Sequence, residues 1–296
     1  MSAPRTAVLV TGAAGGGRAS ALWERIEWGV GAHRLEVLRP ETAAEARRQL
    51  SGRLAGLDRL VVVGGDGTAN LAIDAVLRAG RGAETAVGLV PAGTGSDFAR
   101  ALGLPRRAEA ALSHALVAAP RPLDAISVTV DGASPRYCLN IASIGLSGAV
   151  DLEVNARRER GSYLLTTLGA VWRYRPRACH VEVDGELLTD APFFVVACAN
   201  GRYFGQGMKV APDAVVDDGL LDVVRVDPVP RWQLPLRMAQ FFTGRHVHLP
   251  QVEVRRGRQV RVEPPEDFFP FDLDGETLDA GPATIEVLPG ALRFVR

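Results

Sequence analysis

Short apolar runs alternate with segments of helical periodicity through the first half of the chain. The apolar runs are rich in β-branched residues, which is typical of buried strands in a parallel sheet. They lie at 6–10, 35–38, 60–63 and 86–90. Helical patterns follow at 19–29 and 43–54, and again after Gly67. This alternation over about 120 residues predicts an α/β domain built on a parallel sheet.

Strand patterns dominate the second half of the chain, and glycine, proline and Asp-Gly turns separate them. The predicted strands lie at 126–130, 136–144, 181–183, 186–188, 193–199, 221–226, 252–254, 259–262 and 284–288. Two helical segments interrupt this series, at 162–174 and 231–242. The pattern predicts a mainly antiparallel β-domain after the α/β domain.

The composition narrows the class of protein. The 296 residues are 47% hydrophobic and 23% charged, which is ordinary for a protein that buries a core. The formal net charge of +0 leaves no overall field that would attract nucleic acid. The three cysteines lack metal-ligand spacing and no signal sequence is visible, which together indicate the cytoplasm. No apolar run approaches the roughly 20 residues of a transmembrane helix, so any membrane contact is expected to be peripheral.

Three predicted strands end in turns that are rich in glycine. The central one, Gly64-Gly65-Asp66-Gly67, opens a helix, where unpaired N–H groups and the helix dipole favour a phosphate. Similar turns lie at 11–18, after the first predicted strand, and at 91–100, after the fourth. Because parallel strands end at one edge of a sheet, these turns predict a nucleotide site there. A tight turn with Asp66 as a helix cap is the alternative.

Three acidic residues follow apolar strands or sharp turns: Asp66, Asp97 and Asp124. If they converge on one edge of the sheet, they would bind Mg²⁺ through oxygen and water. A carboxylate beside a phosphate needs such a cation, or a role in proton transfer, to offset the repulsion. Turn capping is the alternative for Asp97 and Asp124.

Two of these turns resemble a known family. Gly64-Gly65-Asp66-Gly67-Thr68 with Asn70, and the segment 91–99, resemble the soluble diacylglycerol kinase catalytic domain, whose family includes bacterial lipid kinases, sphingosine kinases and ceramide kinases. The similarity continues in order through 140–145, 211–223 and 274–276, and so covers nearly the whole chain. Two places depart from the family pattern. The first turn replaces Asn-Pro-x-Ser-Gly, and Gly95-Ser96 replaces x-Asn before Asp97.

The resemblance implies an ATP-dependent kinase that phosphorylates a lipid hydroxyl, with diacylglycerol as the default acceptor and phosphatidic acid as its product. It implies a Rossmann-like nucleotide domain, similar to those of NAD kinase and phosphofructokinase, over 1–123 and rejoined by 290–296. A β-sandwich domain for the lipid substrate would cover 124–289, with the active site in the cleft between the two.

The resemblance also implies a set of nucleotide-binding residues, most of them on the glycine turns. They are Thr11, Gly12, Ala13, Ala14, Gly15, Thr42, Gly64, Gly65, Asp66, Gly67, Thr68, Ala69, Asn70, Gly93 and Thr94. For Thr42 there is an alternative, because Glu41-Thr42 is also a helix-start signal.

Two groups of metal ligands are implied by the same resemblance. In the family, the acids corresponding to Asp66, Asp97 and Asp124 form a carboxylate–water–magnesium network around the nucleotide. A structural Mg²⁺ would be bound at Val215, Asp218 and Leu220, by one carboxylate and backbone carbonyls. A solvated turn is the alternative for this second group.

An acidic turn near the end of the chain is the candidate general base. Asp274-Gly275-Glu276 alone indicates a hairpin turn. The resemblance implies that an acid here accepts the proton of the lipid hydroxyl. Spacing does not choose between Asp274 and Glu276, because i and i+2 lie on one side of an extended strand. We slightly favour Glu276.

Arginines flank the apolar part of the segment 162–174, at Arg157, Arg158 and Arg160 before it and at Arg173, Arg175 and Arg177 after its last apolar helix position, Trp172. A helix of this kind is typical of contact with anionic lipid. A packed helix with solvated arginines is the alternative. We therefore expect a cytoplasmic enzyme that associates peripherally with a membrane. A homodimer is compatible with the resemblance, and no nucleic-acid partner is expected.

Two other functions remain open from the sequence. NAD kinases and phosphofructokinases share Gly-Gly-Asp-Gly, although the turn at 93–98 and the acids at 274–276 favour a lipid kinase. The second of these functions is that of a lipid-binding module without catalytic activity, built on a kinase scaffold. It stays open because the first glycine turn departs from the family pattern.

Overall fold

The computed structural model describes residues 4–11, 17–30, 35–93, 96–150, 169, 171–265, 271–279 and 281–296. The chain forms two compact units. Unit 1 comprises Met1–Ala125 and Pro289–Arg296, and unit 2 comprises Ile126–Leu288. The chain passes from one unit to the other within two long strands, Arg121–Val130 and Ala283–Phe294.

Unit 1 contains a parallel sheet whose strands are β1 (Thr6–Val10), β2 (Leu35–Leu38), β3 (Arg59–Gly64) and β4 (Ala86–Pro91). Their order in the sheet is β2-β1-β3-β4. Arg293 and Phe294, near the end of the chain, extend this sheet by pairing in parallel with β4. The central strands β1 and β3 are apolar because both of their faces are covered.

Five helices connect the strands of unit 1 in the described residues. They are α1 (Arg18–Ile26), α2 (Ala43–Ser51), α3 (Asp66–Arg78), α4 (Asp97–Ala101) and α5 (Ala108–Val117). Trp23 of α1 and Ala111 of α5 pack in one core cluster with Val8, Val61 and Val90 of the strands. Helices α1 and α5 therefore cover the same face of the sheet. Two predicted helices end early, in 3₁₀ turns at Glu27–Val30 and Leu54–Gly56.

Unit 2 is built mainly of antiparallel strands. These are β5 (Arg121–Val130), β6 (Arg136–Cys138), β7 (Ile141–Gly145), β8 (Arg177–Ala178), β9 (His180–Val183), β10 (Glu186–Thr189), β11 (Pro192–Phe193), β12 (Val195–Ala199), β13 (Leu221–Val226), β14 (Val252–Gly257), β15 (Gln259–Glu263), β16 (Phe271–Leu273), β17 (Glu276–Leu278) and β18 (Ala283–Phe294). Helix α6 is Leu234–Thr243, between 3₁₀ turns at Arg231–Gln233 and Arg245–His248.

Two sheets enclose the core of unit 2. One has the order β14-β13-β12-β7-β16-β17, and in the other β9, β10, β15 and β18 are paired antiparallel. Side chains of both sheets meet in a single buried cluster, which includes Ile144 and Val223 from the first and Val260 and Ile285 from the second. The predicted fold class, a parallel α/β unit followed by an antiparallel β-sandwich, is confirmed.

Several predicted strands differ from the observed ones for identifiable reasons. The strand expected at 136–144 is interrupted, because the N–H groups of Leu139 and Asn140 donate to a carboxylate instead of to a neighbouring strand. The strand expected at 193–199 is interrupted at Phe194. Helix α5 was not predicted, since its apolar residues show no clear helical face. Most of the helix predicted at 162–174 lies outside the described residues. In the described part of the chain, no helix is both long and apolar enough to cross a bilayer.

Candidate functional site

The turns after β3 and β4 in unit 1 touch through their glycines. A Cβ atom on Gly93 would lie 2.8 Å from the Cα atom of Gly65, so a side chain there would force the two turns apart. Gly64 is confined as well, because a Cβ atom there would lie 2.6 Å from the Cβ atom of Thr68. Glycine is therefore required at Gly93 by close packing of backbone and at Gly64 by the side chain of Thr68.

Asp66 links the same two turns through its carboxylate. Oδ2 accepts the N–H of Asp97 at 2.9 Å, and Oδ1 accepts the N–H of Phe98 at 3.3 Å. Asp66 belongs to the first turn of α3, yet it caps the following helix α4. Ser96, at the N-cap of α4, forms no side-chain cap; its hydroxyl donates to the carbonyl of Gly93. Asp66 therefore does cap a helix, but the helix is α4, which begins 31 residues later in the sequence, and not the helix that Asp66 itself opens.

Burial raises the pKa of Asp66, and its two N–H donors and the nearby Arg100 oppose that rise. Arg100 also contacts the neighbouring acid, because its Nη1 lies 2.9 Å from Oδ1 of Asp97. The two predicted acids Asp66 and Asp97 thus lie side by side, with one guanidinium balancing part of their charge. This balance stabilises carboxylates at a place where a phosphate would repel them.

Hydroxyl and amide groups surround the first turn of α3. The hydroxyl oxygens of Thr11 and Thr68 are 2.9 Å apart, so the end of β1 is tied to α3. Asn70 is 3% exposed, and its Oδ1 is buried without a hydrogen-bond partner in the described part of the chain. A buried acceptor without a partner costs free energy, which is a feature of sites that bind a ligand. Gly12, Ala13, Ala14, Gly15 and Thr94 lie outside the described residues.

Thr42 is the N-cap of α2, and its hydroxyl accepts the N–H of Glu45 at 3.2 Å. The helix-start alternative for Thr42 therefore describes its local structure. A threonine hydroxyl that accepts one bond can still donate another, so capping and nucleotide contact are compatible. The role of Thr42 toward a nucleotide stays a prediction.

Asp124 has a different local role in unit 1. It is 1% exposed, and its Oδ1 accepts the N–H of Gly290 at 2.7 Å. This bond ties the segment that leaves unit 1 to the segment that returns to it. Across the described residues, no group of three or more His, Cys, Asp or Glu side chains is arranged to hold a metal ion. Asp66, Asp97 and Asp124 therefore do not form a ready-made three-carboxylate site, and their role as ligands stays a prediction.

The loop with Val215, Asp218 and Leu220 lies in unit 2 and holds its acid in a turn. Oδ1 of Asp218 accepts the N–H of Leu220 at 3.1 Å, and Oδ2 pairs with Arg256. Arg256 thus supplies positive charge to the carboxylate that was predicted to bind a structural cation. The assignment of these three residues as ligands stays a prediction.

The second candidate region of unit 2 is the hairpin around Asp274. The carboxylate of Asp274 accepts the N–H groups of Leu139, Asn140 and Ile141 at 2.9, 3.0 and 2.8 Å. Its own N–H donates to the carbonyl of Ile141 at 3.1 Å. These four bonds join the hairpin to the segment between β6 and β7. Burial raises the pKa of Asp274 to about 7, although the three N–H donors act in the opposite direction.

Glu276 has a different environment. Its Oε2 accepts a bond from Nη2 of Arg136 at 2.7 Å, and its side chain is 31% exposed. The expectation that Asp274 and Glu276 lie on one side of an extended strand was wrong. Asp274 has φ of 52° and sits in the turn between β16 and β17, whereas Glu276 begins β17. The turn gives the two acids separate partners.

Family models match both parts of the chain. Residues 5–128 match the diacylglycerol kinase catalytic domain, and residues 140–296 match the YegS C-terminal NAD kinase beta sandwich-like domain. The second match covers more than half of the chain. This chain belongs to the diacylglycerol kinase-like lipid kinases.

Individual relatives of this lipid kinase agree with the family matches. It is 30% identical over 259 residues to a diacylglycerol kinase of Mycobacterium tuberculosis, covering 86% of this chain and 82% of the relative. It is 32% identical over 247 residues to a probable lipid kinase YegS-like of Chromohalobacter salexigens, covering 80% and 76%. A putative diacylglycerol kinase of Bacillus anthracis has the same fold, with a TM-score of 0.78 at 22% identity over 99% of this chain and 97% of that one.

The predicted resemblance and the prediction of a kinase are therefore confirmed. Membership of a kinase family implies ATP as the phosphate donor. One relative is named for a specific acceptor, diacylglycerol, and the other is named only as a lipid kinase. The activity that the two names share is that of a lipid kinase.

Sequence reasoning missed three contacts in these regions: Asp66 with α4, Arg136 with Glu276, and Asp274 with the segment 139–141. One of them had a signal in the sequence. Ser96-Asp97 begins a helix, whose first N–H groups need acceptors, and Asp66 was already singled out as a possible helix cap. The other two join segments more than 130 residues apart.

Proposed function

We propose that this lipid kinase transfers the γ-phosphate of ATP to the hydroxyl of diacylglycerol and so produces phosphatidic acid. The observation that carries the proposal is the contact of two glycine turns in unit 1, closed by the carboxylate of Asp66. The name of the Mycobacterium tuberculosis relative supports diacylglycerol as the acceptor.

The phosphates of the nucleotide would lie on the first turn of α3, where the leading N–H groups have no acceptor within the helix. Gly67 leaves room for that approach, since a Cβ atom there would meet nothing within 4 Å, and the paired hydroxyls of Thr11 and Thr68 lie close by. The unpartnered Oδ1 of Asn70 would accept a hydrogen bond from a water or from the nucleotide. Phosphoryl transfer depends mainly on such positioning and on charge neutralisation.

The donor set fits Mg²⁺ in its chemistry, since Asp66 and Asp97 present neighbouring carboxylate oxygens beside the glycine turns. Asp66 and Asp97 would hold the ion together with water and the nucleotide. A bound Mg²⁺ supplies neutralisation of the phosphate charge. Asp124 is a weaker candidate because it is buried and bonded to Gly290.

Glu276 is the proposed acceptor of the proton from the lipid hydroxyl. A pKa near 7, such as that of Asp274, would suit a general base. The oxygens of Asp274 are nevertheless occupied by three backbone N–H groups, so they are poorly placed to take a substrate proton. Glu276 is partly exposed and bonded to one arginine, and Asp274 holds its hairpin in place. Asp274 is thus proposed as a positioning residue.

Peripheral membrane association is part of the proposal. Unit 2 exposes the large apolar side chains Trp172, Trp232, Leu236 and Phe242 on or near α6, by 53%, 78%, 65% and 52%. Arg231 lies over the ring of Trp172, at 6.0 Å from its centroid. Exposed tryptophans beside arginines are typical of surfaces that enter the interface of an anionic bilayer.

Vesicle sedimentation tests this surface. Trp232→Ala with Leu236→Ala should weaken binding to vesicles of phosphatidylglycerol and phosphatidylcholine. Trp28→Ala, which removes an 86% exposed tryptophan from unit 1, is the matched control and should bind as the wild type does. Equal loss in both variants, or none in either, would contradict the assignment.

Transfer of labelled γ-phosphate from ATP tests the activity. Diacylglycerol, ceramide, a sphingoid base and NAD are offered in parallel, and each product is identified by mass. Phosphatidic acid is the expected main product. Transfer to another lipid alcohol alone would support the lipid kinase activity but contradict diacylglycerol as the acceptor. Transfer to NAD alone, or nucleotide binding without turnover, would favour one of the two competing functions.

A further inference from the structure

A cavity of about 460 Å³ opens in unit 1 beside the turn that follows β4. One wall is formed by Pro91, Ala92 and Gly93. The charged residues that line it are Arg18, Arg25, Arg106, Arg107 and Glu109. Four guanidinium groups against one carboxylate leave the cavity with an excess of positive charge.

The fold explains how these arginines come to face one cavity. Arg18, Leu22 and Arg25 are spaced along one face of α1, since residues i, i+4 and i+7 align on a helix. Arg106 and Arg107 directly precede α5. Because α1 and α5 cover the same face of the sheet, the two arginine pairs meet at its edge.

The chain itself does not neutralise most of this charge. Across the described parts of the chain, the side chains of Arg25, Arg106 and Arg107 form no ion pair or hydrogen bond. Like charges around one cavity repel each other, and an anion between them would remove that cost. Guanidinium groups offer planar pairs of donors that match the oxygens of a phosphate.

We infer that this arginine cavity binds a phosphate group other than those of the nucleotide, although it shares Gly93 with the glycine turns. Its wall residues do not include Asp66 or Thr68, and the helices that form it are α1 and α5 rather than α3. The ligand is a phosphate-bearing anion, either a small soluble phosphate or the headgroup of an acidic phospholipid. Either would bring negative charge next to Gly93 while leaving Asp66 and Thr68 of the proposed nucleotide site to the nucleotide.

Calorimetric titration with inorganic phosphate tests the site on the full chain, alone and with a saturating non-hydrolysable ATP analogue. Arg106→Gln with Arg107→Gln removes two cavity charges. Arg47→Gln with Arg48→Gln on α2 removes the same charge elsewhere in unit 1 and serves as the control. We expect the cavity variant to weaken phosphate binding by at least about tenfold, since each pair of charge-assisted bonds is lost. The control should stay within about twofold of the wild type.

Sedimentation with vesicles of phosphatidic acid and phosphatidylcholine, and with phosphatidylcholine alone, distinguishes the two sources. Loss of phosphatidic acid binding in the cavity variant, with phosphate titrations silent throughout, would assign the site to a lipid headgroup. Loss of phosphate binding alone would assign it to a soluble ligand.

The affinity for the ATP analogue separates this inference from the proposed function. It should be unchanged in the cavity variant. A parallel loss of nucleotide affinity would show that the cavity belongs to the nucleotide site and would overturn the inference. Equal binding of phosphate and of vesicles by cavity variant and control would overturn it too. If the analogue fails to bind the wild type while phosphate binds as expected, the cavity stands and the proposed nucleotide site fails.

Discussion

The glycine turns of unit 1 and the acidic hairpin of unit 2 both need acceptors for backbone N–H groups that have none within their own helix or strand, and they supply these acceptors in different ways. In both, an aspartate accepts N–H groups of a segment far away in the sequence. Asp66 accepts two, and it is also the acid proposed to act on the nucleotide. Asp274 accepts three, and a second acid, Glu276, stays partly exposed beside it. One carboxylate thus combines structure and chemistry in unit 1, whereas unit 2 divides them between two.

This comparison teaches how to separate folding from catalysis in each region. A substitution at Asp66 should disturb both, because the same oxygens cap α4 and face the nucleotide turns. In unit 2 the two effects should separate, with chemistry lost at Glu276 and stability changed at Asp274.

The largest expected effect is on catalysis by Glu276→Gln. Loss of the proposed base should lower kcat by about 10²- to 10⁴-fold, because the hydroxyl proton has no acceptor. The free energy of unfolding should change by less than about 1 kcal/mol, since the pair with Arg136 is partly exposed. Steady-state kinetics and urea denaturation measure the two quantities. Asp274→Asn is the comparison and should retain more activity; the reverse order would make Asp274 the base.

Asp66→Asn should lower kcat/KM by about 10²- to 10³-fold, because a charge beside the transferred phosphate is lost. The amide oxygen can still accept one N–H of α4, so the folded state should persist. Asp66→Ala removes both bonds and should cost a further 1–2 kcal/mol, roughly, as expected for a lost helix cap. Activity assays and thermal unfolding of the two variants check this difference. Full activity in the asparagine variant would remove Asp66 from the chemistry.

Asp274 should make stability depend on pH. Its pKa is raised to about 7 from the ordinary value of 3.8, so the folded state holds this proton more tightly than the unfolded state does. The stabilisation is therefore fully present below pH 4 or so and is lost as the pH rises to about 7, by at most about 4 kcal/mol. Asp274→Asn should lack this component. Urea denaturation of both proteins across that range measures it, and parallel pH profiles would show that Asp274 does not titrate there.

The smallest expected effect is that of Thr11→Val. This change removes the hydrogen bond between the hydroxyls of Thr11 and Thr68 and should cost about 1 kcal/mol of stability. Thr243→Val, which removes an exposed hydroxyl bonded to a helix carbonyl, is a control of matched size. Thermal unfolding compares them. No loss of stability in Thr11→Val would mean that this bond does not tie the end of β1 to α3.

Much of the fold could be predicted because its causes are local. The bounds of β1, β2 and β13 follow from apolar runs that end at turn residues. Helix α5 has no comparable polar face, so its pattern gave no signal. The interruption at Leu139 and Asn140 could not be predicted either, because Asp274 lies about 135 residues further along the chain.

The sequence by itself determined where the glycine turns, the acidic residues and the family signature stand in this protein. Periodicity and the steric freedom of glycine act between neighbouring residues, so they are readable in order along the chain. The tertiary structure alone decided which helix Asp66 caps, which of Asp274 and Glu276 is held by the backbone, and that four arginines share a cavity. Those outcomes depend on hydrogen bonds and charges between segments that come together only when the sheets form.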